Sequence, residues 1–178
     1  MVKTPCGTTC CGAHTTSEGD GLRFGGGVGW PATLAAGWAT AFACLHFFWA
    51  LGGERGLAVS AGEQLASERP AWFVAGGLWG VGLVCLLGAV MALALRSRGV
   101  RGWSRRALYL LGLSISVLLL ARGVLIEVLL ITGASATSGV SSAQKFWSLT
   151  VWNPWFILGG VLFGLAARGF GRATVDRN

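Results

Sequence analysis

PATLAAGWATAFACLHFFWAL, residues Pro31 to Leu51, is the stretch that decides how this chain is read. It holds no Lys, Arg, Asp or Glu, and as a helix it would be about 30 Å long, enough to cross the hydrocarbon core of a bilayer. Pro31 suits the first turn, where a missing N–H costs nothing, and Gly52-Gly53 stops the helix. Working outward, three further apolar runs follow, so spans are predicted at about 31–51, 71–95, 107–132 and 149–167. The whole chain agrees: 53% of its 178 residues are hydrophobic and only 12% charged, where a soluble domain carries about 25% charged residues. Mean hydropathy is +0.64. A soluble enzyme, a disordered chain and a disulfide-stapled secreted module are all excluded. The fold expected is all-α, an integral membrane four-helix bundle, and the lipid bilayer is its first partner.

The charges that remain are placed by topology. Residues 1–30 are rich in Gly, Thr and Cys and read as a disordered cytoplasmic tail with no apolar leader segment; residues 168–178 read as a second tail. Arg96, Arg98, Arg101, Arg105 and Arg106 crowd the loop between the second and third spans. Four spans put this loop and both tails on one side, with ten Lys/Arg against three in the other two loops. The positive-inside rule makes that side cytoplasmic, so a multi-pass protein of the cell membrane with both termini in the cytoplasm is predicted. The net charge of +7 therefore reflects topology, with anionic headgroups in reach of the basic loop, and calls for no nucleic acid. Trp30, Trp103 and Tyr109 would line the inner interface; Trp49, Trp72, Trp147 and Trp152 would line the outer one.

Lipid is as apolar as leucine, so spans associate through small residues and hydrogen bonds. Gly76 and Gly80 in the second span, and Gly160 and Gly164 in the fourth, have GxxxG spacing. In the third span Gly112, Ser116, Gly123 and Glu127 share one stripe. These faces are expected to meet inside the bundle; the alternative is that one GxxxG faces lipid or a second subunit.

Ionisable groups inside spans are expensive and are functional candidates by default. Here they are His46, Arg122 and Glu127, with Asn153 as a further polar group. Arg122 and Glu127 are five residues apart and diverge by about 140° around one helix, so they are no i,i+4 pair and each needs a partner elsewhere. One reading gathers His46, Trp49, Glu127 and Asn153 into an outer-half polar pocket, with Arg122 closing it or facing a second subunit. The other is a structural network that fixes helix register. His46 also falls on the stripe Ala35, Ala39, Phe42, His46, Trp49, which reads as a packing face. Asn153-Pro154 predicts a local kink, because proline removes a backbone donor.

No catalytic or cofactor signature accompanies these groups. Cys6, Cys10, Cys11 and His14 are soft metal-ligand types at a spacing that matches no zinc module, so neither a metal nor a cofactor is expected. There is no HExxH, GxSxG or P-loop, no second intramembrane histidine for bis-His haem, and no aspartate between Asp20 and Asp176.

LHFFWALGG at Leu45 to Gly53, followed by ERGL, resembles the LHxxWALGG signature of a bacterial family of small four-span membrane proteins, domain of unknown function 3995. NPWFILGG at Asn153 to Gly160 is compatible with that family's last helix, and the resemblance covers roughly residues 31–167. It implies a fold and a membrane location and no activity. The function expected is a non-enzymatic binding or accessory component, working with a membrane protein partner. The alternatives are a small proton-coupled transporter or channel acting as a homo-oligomer, with Glu127 carrying the proton, and a membrane redox protein using cysteine or a quinone.

Overall fold

A computed structural model describes residues 29–97, 99–100, 102–133 and 139–172. The Cys6, Cys10, Cys11 and His14 group, Arg98, Arg101 and the last six residues lie outside the described residues. The elements are α1 (Trp30–Ala50), two short helices α2 (Leu57–Ala61) and α3 (Glu63–Glu68), α4 (Phe73–Ala94), α5 (Gly102–Thr132) and α6 (Ser142–Arg172). The four long helices are each long and apolar enough to cross a membrane, and there is no strand among the described residues.

Helix α1 starts with Pro31 in its first turn and stops where the sequence turns to glycine. Gly52 takes φ +107°, a left-handed value that side chains resist, and its N–H donates to the Trp49 carbonyl at 3.1 Å. The chain then folds back as α2 and α3, a small cap over this end of the bundle. Leu57 of α2 is buried with Trp49, Phe73 and Leu78. The Trp49 indole donates to the Arg55 carbonyl at 2.8 Å, and the Arg69 guanidinium donates to the Trp49 carbonyl, so one tryptophan ties both ends of the cap to α1.

Helix α1 packs against α4 on one side and α6 on the other, α5 packs chiefly on α6, and α4 and α5 scarcely touch. The main core lies between α1, α4 and α6 around Trp38, Phe42, Phe163 and Phe170. Trp38 stacks on Trp155 at 5.7 Å and donates to its carbonyl at 3.0 Å. Gly159 makes room for it, since a Cβ there would lie 2.5 Å from the Trp38 ring.

The α5–α6 contact is built from small residues. A Cβ on Gly112 would meet Ala167 at 3.1 Å, one on Gly160 would meet Leu120 at 2.6 Å, and one on Gly164 would meet Ser116 Oγ at 2.7 Å. A Cβ on Gly123 would be 3.0 Å from the Asn153 carbonyl. Ser116 Oγ donates to the Gly160 carbonyl at 2.7 Å, so close approach and an interhelical hydrogen bond occur together, as membrane helices favour.

Gly76 and Gly80 behave differently. A Cβ on Gly76 meets nothing within 4 Å, and one on Gly80 meets only the Ala75 carbonyl of its own helix. The first turns of α4, Phe73–Gly80, wind as π-helix. With i→i+5 bonding, residues four apart no longer stack as they do in an α-helix. Gly82, a Cβ of which would strike the Phe47 ring at 2.6 Å, takes the contact with α1 instead.

At Asn153-Pro154 the helix does not break. Ser148–Trp152 winds as π-helix and Asn153 keeps helical dihedrals of −67° and −45°. A widened turn on the N-terminal side of Pro154 absorbs the missing donor, and α6 runs on from Ser142 to Arg172. Along α4 and α5, residues such as Val84, Leu87, Val90, Val117, Leu118 and Ile131 are exposed, an apolar belt far larger than soluble monomers present.

Candidate functional site

Five side chains form the candidate site, and the helix contacts above decide where each one lies. Asn153, on the face of α6 that meets α5, is wholly buried at 0% exposure. A carboxamide placed so must spend both its ends on partners. Its Nδ2 donates to Glu127 Oε2 at 2.7 Å, and its Oδ1 accepts from Arg122 Nη1 at 3.4 Å. Arg122 and Glu127 diverge around α5, yet one asparagine on the neighbouring helix reaches both. The Arg122 guanidinium also lies over the Phe156 ring, its central carbon 4.8 Å from the ring centre. Glu127 is half-buried and Arg122 is exposed.

His46 comes from α1 and is 8% exposed. Its Nδ1 sits 3.0 Å from the Phe42 carbonyl, and because a carbonyl only accepts, Nδ1 carries the proton. In the neutral ring this leaves Nε2 as an acceptor. Phe42 and Trp49 meet the imidazole edge-on at 4.6 and 5.3 Å. The packing-face reading of the α1 stripe therefore has direct contacts behind it, and His46 keeps one ring nitrogen for something else.

Beside these residues is a cavity of about 180 Å³, room for about six waters at roughly 30 Å³ each. His46 and Trp49 line it from α1, Phe73 and Leu78 from α4, Arg122 from α5 and Trp152 from α6. The cap adds Leu57 and Ser60. It exists because α4 and α5 stand apart here; they approach each other towards the opposite end, where a Cβ on Gly112 would touch Leu95 at 3.3 Å.

The structure thus divides the five candidates into two overlapping groups. His46, Trp49 and Arg122 wall the cavity, and Arg122, Asn153 and Glu127 form a hydrogen-bonded chain. Glu127 and Asn153 are not among the residues lining the cavity, and Arg122 alone belongs to both groups. Sequence reasoning missed Ser60, Ser148 and Trp152 as lining residues. The Trp152 indole N–H is buried without a hydrogen-bond partner, an uncommon state for a tryptophan in a protein interior.

Among the described residues no group of three or more His, Cys, Asp or Glu side chains gathers to hold a metal. Cys44 and Cys85 are both free thiols.

A bundle of four apolar helices with polar side chains drawn inward defines a multi-pass membrane protein. The family model described as "Protein of unknown function (DUF3995)" matches residues 39–163, well over half of the chain, and the chain belongs to that family. No curated protein and no solved structure matches it.

Proposed function

We propose that this protein is a non-enzymatic binding component of the cell membrane, and that the cavity between His46 and Arg122 holds a small ligand rich in hydrogen-bond acceptors. One observation carries the reading. Arg122 lies well inside a span, on the cavity wall and exposed, and among the described residues its polar partner is the distant Asn153 oxygen. A guanidinium brings five N–H donors, and inside a membrane a cation so placed marks a binding site or pathway by default. His46 can accept. A carboxylate, a phosphate ester or a quinone-like carbonyl would suit these groups.

The test is what stays bound in mild detergent. Native mass spectrometry of wild type and Arg122→Gln is expected to show a small molecule retained by the first and lost by the second, with both folded. Identical bound species in the two proteins would overturn the proposal.

The same reading places the cap with Glu54, Glu63 and Glu68 outside the cell and Arg96, Arg105, Arg106, Arg168 and Arg172 inside. Outside the spans, the described residues put five arginines at the one end and Arg55, Arg69 and Lys145 at the other, an imbalance that supports this orientation. A membrane-impermeant thiol reagent is expected to leave Cys6, Cys10 and Cys11 unmodified in intact cells and to label them after lysis. Labelling in intact cells would reverse the orientation.

A further inference from the structure

At the end of the bundle opposite the cap, the start of α5 and the end of α6 enclose a groove of about 600 Å³, within the roughly 300–1,000 Å³ typical of small-molecule sites. Four arginines line it, Arg105 and Arg106 from α5 and Arg168 and Arg172 from α6, and the aromatic rings of Tyr109 and Phe170 complete the wall. Among the described residues that line it, none is acidic. The described carboxylates, Glu54, Glu63, Glu68 and Glu127, belong to the cap and to the far half of α5.

Topology alone asks only that positive charge lie on this side, anywhere in the loop or tails. It gives no reason for the exposed guanidinium groups of Arg106 from α5 and Arg168 and Arg172 from α6 to share one concavity, where like charges repel unless an anion joins them. The site is also built rather than loose. Arg105 donates to the Phe170 carbonyl at 2.6 Å and lies 4.7 Å above the centre of the Phe170 ring. That contact neutralises a carbonyl at the negative end of α6, which would otherwise oppose an anion. Tyr109 is pressed against the backbone of α6, since a Cβ on Gly171 would lie 3.1 Å from its ring. Arg106, Arg168 and Arg172 form no ion pair with any described residue, and Arg106, Arg168 and Arg172 are exposed.

We propose that this groove binds a phosphate group, with arginine forks from both helices closing on its oxygens. The exposed Leu110 and Trp103 flank the start of α5 and place the groove beside acyl chains, so a phospholipid headgroup is one source and a soluble phosphate compound is the other. Occupation would clamp α5 to α6 at the end where Gly112 and Ala167 already touch.

Three purified proteins test this: wild type, Arg106→Gln/Arg168→Gln, and the charge-matched Arg55→Gln/Arg96→Gln, whose sites lie outside the groove. Arg105 is kept because it holds Phe170. In nanodiscs of mixed phosphatidylcholine and phosphatidylglycerol, native mass spectrometry should find phosphatidylglycerol retained by wild type and by the charge-matched variant. The groove variant should bind it about thirtyfold more weakly, two surface arginines' worth. In nanodiscs of phosphatidylcholine alone, titration with inorganic phosphate gives the second arm. Saturable binding that only the groove variant loses assigns the groove to a soluble phosphate; retention of phosphatidylglycerol without phosphate binding assigns it to lipid. Equal losses in both double variants would mean diffuse charge, and the proposal would be wrong. It would also be wrong if wild type showed no preference for the anionic lipid and no phosphate binding.

Discussion

Replacing Gly160 with leucine is expected to pull α5 from α6 and cost at least about 3 kcal/mol, the upper range for overpacking a well-filled interior. A Cβ alone would sit 2.6 Å from the Leu120 side chain and 3.0 Å from the Leu120 backbone nitrogen. A flexible side chain can turn away from such a clash; a helix backbone has to move. Separation would also stretch the 2.7 Å Ser116–Gly160 hydrogen bond and the neighbouring contact between Gly123 and the Asn153 carbonyl. Gly76→Leu is the matched control, because nothing lies within 4 Å of a Cβ there; it should change stability by no more than about 0.5 kcal/mol. Unfolding by mixed-micelle titration separates the two. Equal losses would mean that the α5–α6 contact is not the tight joint described here.

The second large effect is expected at Asn153. Asn153→Leu keeps the side-chain size but removes the partner of the Glu127 carboxylate and of Arg122. Hydrogen bonds to charged groups contribute roughly 1.5–3 kcal/mol. Glu127 is half-buried and Arg122 exposed, which lets solvent or headgroups soften the loss, so about 2 kcal/mol is expected. A double-mutant cycle with Glu127→Gln isolates the pair. Its coupling should exceed the ~0.6 kcal/mol average for interhelical hydrogen bonds in a membrane protein, because the bond is 2.7 Å long and its donor side chain is wholly buried. A coupling near zero would show that the Asn153–Glu127 bond does not persist.

The four spans were legible because a bilayer leaves little choice: an uncharged apolar run of sufficient length has to be helical. The joint between α5 and α6 was legible too. Gly112, Ser116 and Gly123 lie on one stripe of a regular α-helix, and so do Gly160 and Gly164, so period alone finds them. Gly76 and Gly80 follow the alternative, a GxxxG outside the helix contacts, because π-helical winding breaks the period there and no residue type announces it. At Pro154 the helix stays continuous through the π-helical turn Ser148–Trp152, and no residue type there announces the widened winding.

The candidate residues can be named from the sequence, but their arrangement cannot. Cost of burial singled out His46, Arg122, Glu127 and Asn153, and three of these do meet. The cavity was hidden because half its wall comes from rotation and spacing of helices. Leu57 and Ser60 enter through α2, within a loop that offered no spanning pattern, and Trp152 had the look of an interface residue. Arg122 joins the two groups only because its long side chain reaches past Asn153 to Phe156.

The most direct test of the account is a structure of the protein extracted in mild detergent and held in a nanodisc. Non-protein density is expected in the cavity between Arg122 and His46, within hydrogen-bond reach of the Arg122 guanidinium and absent from Arg122→Gln. A cavity closed by α4 meeting α5, or the same density with and without the guanidinium, would contradict it.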